Sequence, residues 1–122
     1  MKIIVMTGPA PAFRTLSQAI QQYADAAYPP GGSECAQAAR AGLLDTAEKI
    51  LQQIDTHQSE VTISRRIKSH VKAAIQYYLQ VCTEQNADLE QATIRYELLL
   101  ELINGNPVQE ERWFDSLSDN HV

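Results

Sequence analysis

Glycine is scarce in this chain, with five in 122 residues, and there are only two cysteines and one tryptophan. Few glycines beside abundant Ala, Gln, Leu, Ile and Glu favour helix. Cys35 and Cys82 form no CxxC and have no His at metal-ligand spacing, so they read as two reduced, mostly buried thiols of a cytoplasmic protein. Long apolar runs are missing too. Residues 1–6 are apolar for only a few positions before Gly8-Pro9 breaks the run, which is too short for a signal peptide or a membrane span. The last absence is local. Residues 61–83 contain no Asp or Glu at all.

That acid-free stretch holds Arg65, Arg66, Lys68 and Lys72, four of the ten Lys and Arg residues in the chain. The flanks are acidic. Residues 1–60 carry four basic and six acidic side chains, net −2, and residues 84–122 carry two basic and nine acidic, net −7. A basic element in an acidic chain is the strongest functional signal present. The overall charge of −5 argues against a general nucleic-acid coat or a membrane-surface protein, which carry a basic excess.

The length suits a single helical domain over residues 1–122. The pattern predicts an all-α bundle of four to five helices, with a short extended N-terminal arm over 1–13 and a flexible tail over 118–122. Pro9 and Pro11 are expected to keep the arm extended. A first helix is expected over 16–27, capped by Thr15 with Gln18 completing a capping box. Tyr28-Pro29-Pro30-Gly31-Gly32 ends it. Ser33 caps a second helix, which Gly42 is placed to divide. No period marks a repeat protein.

The basic element is expected to be the long third helix, residues 62–82, with an apolar arc including Ile63, Ile67, Val71, Ala74, Ile75 and Tyr78. Arg65, Lys68 and Lys72 fall opposite that arc, and Arg66, His70 and Tyr77 share one flank. Asp88 caps the fourth helix, which ends near Asn104-Gly105. It bears two apolar stripes. The second, Ile94, Leu98 and Leu102, is either buried centrally or meets another chain. Asn106-Pro107 opens a short last helix carrying Trp113 and Phe114, which either fold back on the bundle or anchor a partner.

Chemistry is thin. The strand-like start at residues 2–8 is followed by Pro9 and Pro11 rather than by Gly-Lys-Ser/Thr, so it makes no phosphate loop. His57, His70 and His121 form no helical metal pair, and Lys72 lies two residues after His70, not the three of phosphotransfer helices. The carboxylate pairs fall on polar helix faces, away from the apolar cleft that a general acid or base requires.

These readings predict a non-enzymatic protein–protein interaction module with no cofactor or metal: an adaptor, regulator or specialised chaperone, acting as a homodimer. Its expected partner-binding residues are Arg65, Arg66, Lys68, Lys72, Ile94, Leu98, Leu102, Trp113 and Phe114. The basic helix would match Glu90, Glu97 and Glu101 of its own chain, or an acidic partner. The alternative is a nucleic-acid-binding regulator, in which residues 62–68 open a recognition helix.

Overall fold

A computed structural model describes residues 2–54, 58–85 and 88–117. The order of elements is β1 (Ile3–Pro9), α1 (Ala10–Ala27), α2 (Glu34–Gln53), β2 (Gln58–Ser64), a 3-10 turn (Arg65–Ile67), α3 (Lys68–Glu84), α4 (Leu89–Ile103) and α5 (Glu110–Leu117). The described residues are mostly helical, at 73%, in five α-helices and one 3-10 turn. It is not strictly all-α, because β1 and β2 pair as a two-stranded antiparallel sheet. The expected tail, residues 118–122, lies outside the described residues, as do His57 and His121.

The expected N-terminal arm is β1. Ile4, Met6 and Gly8 face inward while Ile3 and Val5 face out, the period of two that a half-buried strand requires. It pairs within the chain across two intervening helices, with Val5 opposite Thr62 and Met6 opposite Val61. Pro9 ends the strand and also occupies the cap position of α1. Helix α1 therefore starts at Ala10, six residues before the expected Leu16. Pro11 does not hold the chain extended. It sits in the first helical turn, where its missing N–H would have had no partner anyway.

The segment expected to open the long basic helix is a strand and a 3-10 turn, and α3 begins only at Lys68. Ser59, Val61 and Ile63 are buried and alternate with Gln58, Glu60 and Thr62, so a period of two is present beneath the helical arc. β-branched Val61, Thr62 and Ile63 suit a pleated strand. Pairing with β1 then satisfies backbone groups of both segments.

The outer edge of β2 is held by one side chain. Gln53, the last residue of α2, accepts from the Thr62 N–H at 2.8 Å and donates to the Thr62 carbonyl at 2.9 Å. It also accepts from the Thr62 hydroxyl at 3.1 Å. This primary amide does what a third strand would do. Gln53→Ala leaves two half-buried backbone groups without these bonds and is expected to cost about 1–3 kcal/mol. Urea unfolding measures it; a change within a few tenths of a kcal/mol would show that the bridge does not stabilise the edge.

Around this hairpin the helices close the core. Helix α1 buries Phe13, Leu16 and Ile20 against α2 and α3, and the buried Ser17 hydroxyl donates to the Ala47 carbonyl at 2.9 Å. Helix α2 starts at the expected cap, where Ser33 accepts from the Ala36 N–H, and runs through Gly42 without division. Helix α4 likewise starts at its expected cap, with Asp88 accepting from the N–H groups of Glu90 and Gln91. It ends at Gly105, whose φ of +84 is a left-handed conformation that glycine adopts without strain. The chain then runs along the other edge of β1, where the Val108 N–H donates to the Thr7 carbonyl at 2.9 Å. Helix α5 starts at Glu110, three residues after Pro107, and packs on α4 and β1.

Candidate functional site

The four clustered cations sit where the sheet hands over to α3. Ser64 ends β2, and its hydroxyl accepts from the Arg66 N–H at 3.3 Å. The Arg65 N–H donates to the Lys2 carbonyl at 3.1 Å, which ties the corner to the start of β1. Arg65 and Arg66 stand exposed on the 3-10 turn, Lys68 is half-buried at the first position of α3, and Lys72 is exposed one turn later. The cluster is thus a structural corner and not one face of a helix.

None of these four cations forms an ion pair with a carboxylate among the described residues. The expected match with Glu90, Glu97 and Glu101 is not made there. Glu101 instead pairs with Arg112 of α5 at 3.0 Å. Other pairs among the described residues are Arg40 with Asp25 at 2.8 Å and Lys49 with Asp45 at 2.9 Å.

Beside the corner lies an open cleft of about 520 Å³ between α2 and the start of α3. Ala38, Ala39 and Gly42 of α2 form its floor, with Asp45 and Thr46 further along the same helix. Ser64, Arg66, Ile67 and His70 form the opposite wall. A Cβ placed on Gly42 would meet only the Ile67 Cδ1, at 3.7 Å, so the helices are not forced together at that glycine. The small residues of α2 were not among the expected site residues. Their signal was the run Ala38-Ala39-Arg40-Ala41-Gly42, which reads in sequence only as helix.

An aromatic row continues from the cleft along the junction of α1 and α3. The His70 ring meets Tyr28 edge-on at 6.1 Å, Tyr28 meets Tyr23 at 6.1 Å, and Tyr23 meets Tyr77 at 6.0 Å. Burial, and secondarily the neighbouring Tyr28, push the Tyr23 phenol above its ordinary pKa. The Arg40 guanidinium donates to the Tyr28 and Ala24 carbonyls while pairing with Asp25, and so closes the end of α1 beside this row. His70 and Tyr77 do share a flank of α3, as the helical spacing predicts.

The remaining expected contact residues divide sharply. Leu98 and Leu102 are 1% and 0% exposed, and Trp113 is 0% exposed. All three belong to the core and offer no surface on the monomer. Ile94 and Phe114 are exposed, at 40% and 47%. Most of both α4 stripes is buried within the chain, because α3, β1 and α5 pack around that helix, while Leu89 and Ile94 at its start stay exposed. Arg95 bridges these layers, donating to the Tyr78 hydroxyl and to the Ser116 carbonyl, each at 2.8 Å. Burial raises the Tyr78 pKa, and the hydrogen bond and charge of Arg95 pull against that rise.

Among the described residues no three His, Cys, Asp or Glu side chains gather as a metal centre, and no helix is long and apolar enough to cross a membrane. Cys35 is exposed and Cys82 half-buried, and both are free thiols. No protein-family model matches the chain, nor does any curated protein or solved structure.

Proposed function

We propose that this chain is a non-enzymatic interaction module that binds an acidic surface of another protein through Arg65, Arg66, Lys68 and Lys72. The observation that carries this reading is the absence of an internal ion-pair partner for those cations among the described residues. Exposed charges left without partners keep their full capacity for an external one, and charge complementarity sets encounter rate and orientation. The corner is also rigid, being fixed by the Arg65–Lys2 and Ser64–Arg66 hydrogen bonds. A preformed site loses less entropy on binding.

A nucleic-acid partner has less in its favour. The recognition-helix reading needs helix from residue 62, where the chain forms β2 and a 3-10 turn. Four cations bounded by acidic segments would give a salt slope of at most about −3.6 on duplex DNA, short of what proteins with 6–10 phosphate contacts show.

Fluorescence anisotropy with a glutamate-rich peptide and with duplex DNA, at low and moderate salt, tests the reading. The wild type is expected to bind the peptide more tightly than the DNA. The double reversal Arg65→Glu, Lys68→Glu is expected to weaken peptide binding by at least about tenfold. Preference for DNA, or peptide binding that ignores the reversal, would refute it.

A further inference from the structure

The cationic corner and the cleft beside it form one continuous surface, because Arg66 belongs to both. Resting on the function proposed above, we infer that the cleft receives one extended acidic segment of the partner protein. A carboxylate of that segment lies opposite Arg66, and its main chain runs along Ala38, Ala39 and Gly42.

The cleft is shallow and open, and its volume of about 520 Å³ leaves room for an extended backbone lying along α2. The floor carries no side-chain atom beyond Cβ, so another backbone can approach α2 closely. One wall presents the Arg66 guanidinium, the His70 imidazole and the Ser64 hydroxyl, while the other presents the Asp45 carboxylate. A polyphosphate offers only anionic oxygens and has no donor for the Asp45 carboxylate, which Lys49 already pairs at 2.9 Å. A peptide offers carboxylates for Arg66 and also backbone N–H donors for Asp45. Ile67 supplies an apolar contact between them, and Tyr28 holds the His70 ring edge-on at the far end.

An extended chain could also bind by adding a strand to the sheet. Strand addition needs a free sheet edge. The outer edge of β2 is occupied at Thr62 by the Gln53 amide, and the outer edge of β1 is covered at Thr7 by the Val108 N–H. The cleft has no such occupant among the described residues.

The test uses a short acetylated, fluorescein-labelled peptide of alternating Glu and Ala, its Gln–Ala counterpart, and a duplex DNA of matched charge. The wild type is expected to bind the Glu peptide, to bind it more weakly as salt rises, and to ignore the Gln peptide. Arg66→Glu and Ala38→Glu are each expected to raise the Kd by at least about tenfold. Ala38 is exposed, so its substitution leaves the core intact, and an unchanged melting curve verifies that. In heteronuclear NMR the peptide should shift the amides of Ala38, Ala39, Gly42, Thr46 and His70. Peptide binding that ignores Ala38→Glu, with shifts confined to the neighbourhood of Arg65 and Lys72, would overturn the cleft assignment while leaving the proposed function standing. No peptide binding by the wild type, or tighter binding of the DNA through Arg66, would overturn both.

Discussion

Replacing Leu98 by Glu is expected to lower the stability of the protein by at least about 4 kcal/mol. Leu98 is 1% exposed and packs in the core with Leu99, Leu102 and Ile103. Truncating such a leucine costs about 2–5 kcal/mol by itself. A carboxylate placed there without a partner adds a desolvation penalty, unless it protonates or the helix shifts to release it. Domains of this size have about 5–15 kcal/mol in total, so the variant should sit at the edge of folding. At roughly 3–5 °C per kcal/mol, the melting temperature should fall by at least about 12 °C. Ile94→Glu, one helical turn away but 40% exposed, is expected to change stability by less than about 1 kcal/mol. Thermal melts followed by circular dichroism read both variants. If Leu98→Glu melted like the wild type and only its mass in solution changed, the side chain would belong to an interface between copies and not to the core.

That contrast explains what the sequence could and could not reveal about α4. The two apolar stripes were legible, and so was the need to cover both. What covers the second stripe was not, because β1 and α5 come from opposite ends of the chain and local periodicity carries no information about their return. The same limit hid the sheet. Residues 58–64 satisfy a period of two and, read with the residues that follow, much of a helical arc. The choice between them depends on β1, more than fifty residues earlier, which needs a backbone partner. Local chemistry was readable at two of the four expected helix caps, since Thr15 lies inside α1 and α5 begins at Glu110 rather than directly after Asn106. Ser33 and Asp88 cap their helices as their side chains dictate, and Gly105 ends α4. The cation cluster was legible as a cluster, and the shared flank of His70 and Tyr77 follows from spacing alone. The cleft was not legible. It needs Arg66 on a 3-10 turn facing Gly42 on a different helix, and no pattern in either segment refers to the other.

Trp113 and Phe114 are adjacent in sequence, yet Trp113→Ala is expected to cost about 3–5 kcal/mol and Phe114→Ala less than about 0.5 kcal/mol. The reason is the orientation of α5. Trp113 points into the bundle at 0% exposure, while Phe114 stands 47% exposed. Among the described residues of α5, Trp113 and Ser116 are the buried ones, and Trp113 is by far the larger. The Arg112–Glu101 pair is substantially solvated and contributes about 0–1 kcal/mol, and the Arg95–Ser116 and Val108–Thr7 hydrogen bonds each contribute about 1–2 kcal/mol. Losing the indole therefore removes the main reason for α5 to stay docked on α4 and β1. The indole N–H has no hydrogen-bond partner among the described residues, so Trp113→Phe gives up area but no hydrogen bond and should cost only about 1 kcal/mol. Hydrogen exchange separates local from global effects. In Trp113→Ala the amides of residues 110–117 should lose protection first, while those of α1 and α3 exchange only with global unfolding. The anisotropy of the bound glutamate-rich peptide should stay near the wild-type value, because the cationic corner is built from β2 and α3. If Trp113→Ala instead kept full stability and abolished peptide binding, the indole would belong to the binding surface and α5 would have to lie elsewhere.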